Sequence, residues 1–318
     1  MTPEFLPADL ARFESILNDS LLNDPAAASN SMTELVRAGG KRIRPALVLL
    51  SAQLGDYDFE RTAPAAIAVE LTHAATLVHD DVIDRADLRR GRPTVRARTG
   101  DPAAIVVGDF YFAKAYREAG RTGSSQVVEI LAAAIMRVCH GELQQQASRY
   151  HYRVSRDGYL RRIELKTGAL IAAACRIGAV LGGLDSASQI SLSRYGRLLG
   201  LAFQVADDVL DYTGSEGELG KPVGKDLLEG HVTLPLMLAL SGPGGDQIRA
   251  QLEDGRQLAE VEVAGIVDAV RASGGPAEAL RQAREWAAEA KWELQPFASV
   301  PAATRLSALA DYVVSRNL

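Results

Sequence analysis

Apolar residues return at intervals of three and four along most of this chain, and strict alternation is scarce. Segments such as "ELTHAATLVHDDVID", "QVVEILAAAIMRVCHGELQQQ" and "SRYGRLLGLAFQVADDVLDY" each carry an apolar stripe at helical period. Gly and Pro punctuate the text between them, in "AGGKRIRP", "RRGRPTVRARTGDP", "TGSEGELGKPVG" and "SGPGG". No strand text, short repeat or low-complexity tract stands out. The pattern predicts an all-α bundle of roughly ten or more helices. Nothing marks a cut, so residues 1–318 are expected to form a single domain.

Composition narrows the picture. A chain of 318 residues with 47% hydrophobic content can bury a large core. The net charge of −5 argues against general nucleic-acid binding. The arginine-rich stretch 85–98 also lacks an aromatic residue on which bases could stack. The longest apolar stretch, "GALIAAACRIGAVLGGL", is short for a membrane span and contains Arg176, so it reads as a buried helix. Cys139 and Cys175 sit in Ala-rich helical text and no secretory signal opens the sequence, which predicts a cytoplasmic protein with reduced thiols.

The chemistry is concentrated in a motif that occurs twice. Asp-Asp-x-x-Asp places Asp80, Asp81 and Asp84 in one segment, and Asp207, Asp208 and Asp211 in another. On a helix the first and last Asp lie one turn apart on one face, and the middle one is offset by about 100°. Either motif alone could be a solvated face or a favourable charge at a helix N-terminus. Two of them inside apolar text, where uncompensated charge is costly, suit a hard cation such as Mg²⁺. His73, Leu77, Asp80 and Asp84 form one helix-face stripe, and Gln204, Asp208 and Asp211 form a second. Basic groups gather nearby in sequence: Lys41, Arg42 and Arg44; Arg89, Arg90 and Arg92; Lys166 with Thr167; and Lys221 with Lys225. Such side chains beside metal-binding carboxylates suit a diphosphate.

These blocks run in order from "GGKRIRP" through "HAATLVHDDVIDRADLRRGRPT", "GDFYFAKA", "KTGAL" and "FQVADDVLDY" to "GKPVGKDLLEGHVTLP". Together they resemble the trans-type isoprenyl diphosphate synthases of the polyprenyl synthetase family. The resemblance implies the isoprenoid synthase fold: antiparallel helices around a deep central cavity, with the two motifs facing each other across its mouth, in a homodimer. It implies condensation of isopentenyl diphosphate with an allylic diphosphate. Asp80, Asp81, Asp84, Lys166, Asp207 and Lys221 would be catalytic, and Asp208 and Asp211 would join the Asp set in holding Mg²⁺. The allylic diphosphate would rest on Arg89, Lys166, Thr167, Gln204 and Lys221. The isopentenyl diphosphate would rest on Lys41, Arg44, His73 and Arg90.

The chain departs from that pattern at one position. The family usually has a second diphosphate-holding lysine where this chain has His231, in "LLEGHVTLP". Histidine is partly charged near neutrality, so a weaker, pH-dependent grip is expected there. In the family, aromatic groups four or five positions before the first Asp floor the product tunnel. Thr76 and Ala75 occupy those positions here, with Leu71 and Thr72 one turn deeper. Small residues predict a long product, and "HAATLVHDDVID" is most similar to octaprenyl-type enzymes. A floor supplied by another helix would instead give geranylgeranyl or farnesyl product. The Gly-rich "TGSEGELGKPVG" is a candidate lid or a plain loop. A terpene cyclase normally lacks the second motif and "GGKRIRP"; a non-catalytic regulatory subunit tends to have eroded motifs, and both are intact here. A helical scaffold with structural carboxylates is the remaining alternative.

Overall fold

The computed structural model describes residues 9–22, 24, 35, 42–89, 91–214 and 223–315. Among these the helices in chain order begin with α1 (Leu10–Leu22), α2 (Ile43–Ala52), α3 (Phe59–Ile83), α4 (Val95–Thr99), α5 (Asp101–Arg121) and α6 (Ser125–Ala147). There follow α7 (Arg156–Ile163), a π-turn (Glu164–Gly168), α8 (Ala169–Leu181), α9 (Ser186–Thr213) and α10 (Lys225–Leu228). The series ends with α11 (Leu234–Ser241), α12 (Gly245–Arg249), α13 (Glu260–Ala272), α14 (Gly275–Trp292) and α15 (Pro301–Ser315). The periodic segments of the sequence are these helices. "GALIAAACRIGAVLGGL" holds α8, with Arg176 half-buried. One departure is a two-residue antiparallel ladder, β1 (Leu88–Arg89) and β2 (Arg92–Pro93), with Leu88 opposite Pro93 and Arg89 opposite Arg92. It is too short to show alternation.

The chain divides into two compact units. The first comprises Met1–Ile135, Ala173–Ser193 and Pro296–Leu306. Its core holds Phe13, Leu17 and Leu21 of α1, Leu47, Leu49 and Leu50 of α2, Val69, Leu71, Ala75 and Val78 of α3, and Tyr111 of α5, all fully buried. Helix α3 starts where Asp58 caps the backbone N–H groups of Glu60 and Arg61. Its Ala-rich face packs closely along α5. The end of α1 is tied to α5 by Lys114, whose ammonium reaches the Ser20 carbonyl at 2.8 Å and the Asp24 carboxylate at 2.5 Å.

The second unit comprises Met136–Ala172, Arg194–Gln295 and Ser307–Leu318. Tyr152, Tyr212, Leu227, Val232, Leu236, Ile248, Val263, Ile266 and Val270 form its core cluster. Here Gly141 of α6 lies so close to the π-turn that a Cβ would stand 2.6 Å from the Lys166 nitrogen. Only a glycine leaves room for that approach.

Candidate active site

In the first unit, Asp80, Asp81 and Asp84 sit at the C-terminal end of α3, where Asp84 is the cap residue. This is the negative end of the helix, and its last turn carries no basic residue. A favourable N-terminal charge is thereby excluded, and the carboxylates need cations from elsewhere. The predicted stripe is real: His73, Leu77, Asp80 and Asp84 are all half-buried, whereas Thr72, Ala75, Val78 and Asp81 are buried. Arg89 reaches back from the β1–β2 ladder, placing Nε 2.9 Å and Nη2 2.8 Å from Oδ1 of Asp81. The turn between is stitched by Ala86 N–H donating to the Asp81 carbonyl and by the Thr94 hydroxyl donating to Ala86.

Arg42, at the N-cap of α2, adopts a left-handed φ of 48°. Its guanidinium donates to Glu14 at 3.2 Å and to buried Glu70 at 2.7 Å, which makes it a structural tie. Arg44 is half-buried in the first turn of the same helix. Of the chain-length positions, Leu71, Thr72 and Ala75 are fully buried and Thr76 is half-buried. The Thr72 hydroxyl has no hydrogen-bond partner. Lys41, Arg90 and Lys221 lie outside the described residues, as does 215–222 of the Gly-rich segment.

In the second unit the second motif also ends its helix, since α9 stops at Thr213, again with no basic residue in the last turn. The two motifs are not equivalent, although their spacing is identical. Asp207 is half-buried, while Asp208 and Asp211 are buried. The line Gln204–Asp208–Asp211 therefore points inward below Gln204. Asp208 accepts from the Tyr159 hydroxyl at 2.6 Å and from Gln204 Nε2 at 2.9 Å. Burial, followed by the charge of Asp226, pushes its carboxyl up to about 7 against those donors. Asp211 accepts from the backbone N–H of Asp226 at 3.0 Å and so anchors the segment that opens α10.

Lys166 and Thr167 occupy the π-turn, a widened backbone geometry that recurs at functional sites. The Thr167 hydroxyl donates to Gln204 Oε1 at 2.7 Å, and Lys166 pairs with Glu142. Burial alone would lift the Glu142 carboxyl, but Lys166 and Gln146 beside it leave it below its ordinary value. His231 follows Gly230, whose φ of 82° and contact with the Tyr150 ring exclude a side chain. The loop is pinned by Tyr150 N–H on the Gly230 carbonyl at 2.9 Å, Arg149 Nε on that of Glu229 at 2.8 Å and Arg162 Nη2 on that of Val232 at 2.7 Å. Burial pushes the His231 imidazole down to about 4; Asp226 opposes this, while Arg162, Lys166 and Arg149 add to it. The expected titration near neutrality is therefore replaced by an imidazole that is neutral at pH 7. Three cations around one imidazole also make this corner suited to an anion.

Tyr159, Glu142, Arg162 and Asp226 are the groups that sequence reasoning passed over. Asp226 directly follows Lys225 in a quoted motif, and Tyr159 stands two turns before Lys166. Glu142 and Arg162 carry no local signal, because Lys166 and Val232, which hold them here, come from distant segments. Among the described residues no three His, Cys, Asp or Glu side chains converge on one metal position. Asp80 and Asp84 in the first unit, and Asp207 in the second, are half-buried carboxylates of the kind that suit a hard ion which takes few protein ligands and keeps water and phosphate oxygens.

A model of the polyprenyl synthetase family matches residues 25–269. The chain is 42% identical over 268 residues to "Heptaprenyl diphosphate synthase component 2" of Geobacillus stearothermophilus, covering 84% of this chain and 83% of that protein. It is 38% identical over 313 residues to "Nonaprenyl diphosphate synthase" of Mycobacterium tuberculosis, covering 98% and 93%. Its structure superposes with a TM-score of 0.91 and 38% identity on a polyprenyl synthase from Caulobacter crescentus, complexed with calcium and isoprenyl diphosphate, over 98% of this chain and 95% of that one. The doubled aspartate motif, the lysine-bearing π-turn and these similarities agree: the chain belongs to the polyprenyl synthetase family, the trans-type isoprenyl diphosphate synthases, and is a prenyltransferase.

Proposed function

We propose that this chain condenses isopentenyl diphosphate with an allylic diphosphate in the presence of Mg²⁺, giving a long-chain all-trans polyprenyl diphosphate. It does so as one catalytic domain, residues 1–318, working as a homodimer in the cytoplasm. The observation that carries the reading is the cluster in the second unit, where Lys166, Thr167, Gln204 and Asp208 are linked beside a neutral His231 and a group of cations. Long product length is supported by the heptaprenyl and nonaprenyl synthase relatives and by Ala75 and Thr76 before the first motif. Homodimerisation is supported by exposed apolar residues on α5, namely Ile105, Val106 and Tyr116. Among the described residues no helix is long and apolar enough to cross a membrane.

In this reading Asp80 and Asp84 of the first motif and Asp207 of the second, all half-buried, are metal ligands. Asp81, Asp208 and Asp211 are held by Arg89, Tyr159 with Gln204, and the Asp226 backbone respectively, and they shape the site. Bound Mg²⁺ supplies positive charge for the leaving diphosphate. Lys166, with Arg89 and Lys221, meets the negative charge that grows on the allylic oxygen as its bond to carbon breaks, so these residues favour the transition state over the ground state. Arg44 and His73, with Lys41 and Arg90, orient the isopentenyl diphosphate so that its double bond attacks the allylic cation. The proton then lost passes to the departing diphosphate.

Incubation with labelled isopentenyl diphosphate, Mg²⁺ and dimethylallyl, geranyl or farnesyl diphosphate in turn, with products resolved by length, tests this reading. Absence of incorporation with every starter overturns it. A second reading, that the chain needs a different subunit, is favoured by the component 2 label of the heptaprenyl synthase relative. Elongation by the purified chain alone excludes that reading.

A further inference from the structure

We propose that Tyr159 is a positioning residue for the allylic diphosphate, acting through Asp208 and Gln204 to fix Thr167 and the π-turn that carries Lys166. The inference deepens the reading above and rests on it. Three hydrogen bonds run in one series. Tyr159 Oη donates to Asp208 Oδ2 at 2.6 Å, Gln204 Nε2 donates to Asp208 Oδ1 at 2.9 Å, and Thr167 Oγ1 donates to Gln204 Oε1 at 2.7 Å.

The polarity of the series follows from Asp208. Gln204 turns its nitrogen to Asp208 and its oxygen to Thr167, the arrangement that an ionised, acceptor-only carboxylate requires. Tyr159 is fully buried, and its phenol stays protonated because burial, followed by the charge of Asp208, holds its pKa well above the ordinary value. It is therefore a permanent donor that pins the carboxylate. Without it, Asp208 loses one of its two side-chain donors in a buried setting, and the carboxylate against which Gln204 is set is no longer pinned. The effect reaches the π-turn through Thr167, adjacent to Lys166. The Arg162 guanidinium lies over the Tyr159 ring, 5.6 Å from its centre.

Tyr159→Phe in the full-length chain removes the hydroxyl and keeps the ring. The KM for the allylic diphosphate should rise about three- to tenfold, as for loss of one ordinary hydrogen bond. The KM for isopentenyl diphosphate should stay unchanged. The rise in unfolding temperature given by Mg²⁺ with inorganic pyrophosphate should fall well short of the wild-type rise, and this readout needs no turnover. An unchanged allylic KM and pyrophosphate shift, or an equal loss toward both substrates, overturns the proposal. Gln204→Leu breaks the same series at a half-buried position and decides the matter should Tyr159→Phe not fold: an unchanged allylic KM and pyrophosphate shift there overturns it too. Where both variants fold, the double variant should be no worse than Gln204→Leu, whereas multiplied losses point to separate paths and overturn the series. Wild-type protein that incorporates no label defeats the reaction reading, while active wild type with an indifferent Tyr159→Phe defeats only this inference.

Discussion

Arg89 grips a single oxygen of Asp81 with two nitrogens, Nε at 2.9 Å and Nη2 at 2.8 Å. That pairing separates the middle carboxylate of the first motif from its neighbours. Asp81 is buried and neutralised from within the chain, whereas Asp80 and Asp84 are half-buried at the negative end of α3. Asp81→Asn should cost about 1–3 kcal/mol of stability, since it leaves a partly buried guanidinium without its partner. Asp80→Asn, at a half-buried position where the helix end repels negative charge, should cost less stability than Asp81→Asn. Its activity should nevertheless fall by about two orders of magnitude or more. Urea unfolding beside steady-state kinetics checks both variants; equal destabilisation by the two contradicts the assignment.

Gly230 is fixed by geometry that no other residue meets. Its φ is 82°, and a Cβ would stand 2.3 Å from a ring carbon of Tyr150. Gly230→Ala should cost about 1–3 kcal/mol through backbone strain and displacement of the ring. Because His231 is next in the chain, the allylic KM should rise while the isopentenyl KM holds. A thermal melt and the two KM values measure this.

The fold was legible where helical period ran long. The text around both aspartate motifs reads as helix, and α3 and α9 are those helices. The inequality of the motifs was not legible, because identical spacing gives identical local geometry. What distinguishes them comes from a distance: a two-residue ladder returns Arg89 to Asp81, and Tyr159, 49 positions away, meets Asp208. The π-turn at "ELKTG" has no sequence signature either. His231 was visible as a departure from a pattern, but its protonation depends on burial and on Arg149, Arg162 and Lys166, which only tertiary structure assembles.

The pH behaviour of His231 follows from that burial. Its folded-state pKa, about 4, lies below the ordinary 6.5, so the unfolded chain binds the proton first as pH falls. His231 therefore withdraws stability between about pH 6.5 and 4 and adds no pH dependence above that window. Asp208 works in the opposite direction: its pKa, raised to about 7, makes the folded chain bind the proton first, so its contribution falls as pH rises from 3.8 toward 7. His231→Gln should gain on wild type as pH drops below 6.5, seen in unfolding free energies at stepped pH. Between pH 7 and 8.5 the ratio of their allylic kcat/KM values should stay flat. His231→Lys restores a full charge and should lower the allylic KM about three- to tenfold. An inflection near neutrality that vanishes in His231→Gln contradicts the neutral imidazole.

Ala75→Phe discriminates between two meanings of a buried alanine. Ala75 is fully buried on α3, five positions before Asp80. If the growing hydrocarbon runs past this face, the ring projects into space that substrate otherwise fills. Product should then shorten at little cost to the unliganded protein. If Ala75 instead meets packed side chains, the extra ring overfills the core and costs about 1–3 kcal/mol, with product length unaltered. Buried Thr72, one turn deeper, has a hydroxyl with no hydrogen-bond partner, which is costly against packed apolar groups and less so beside space that opens to substrate. That favours the first meaning. Reversed-phase separation of the labelled products, read together with the unfolding temperature of the variant, gives the decision. A shorter product with an unchanged melt supports the floor; full-length product with a lowered melt removes α3 as the ruler.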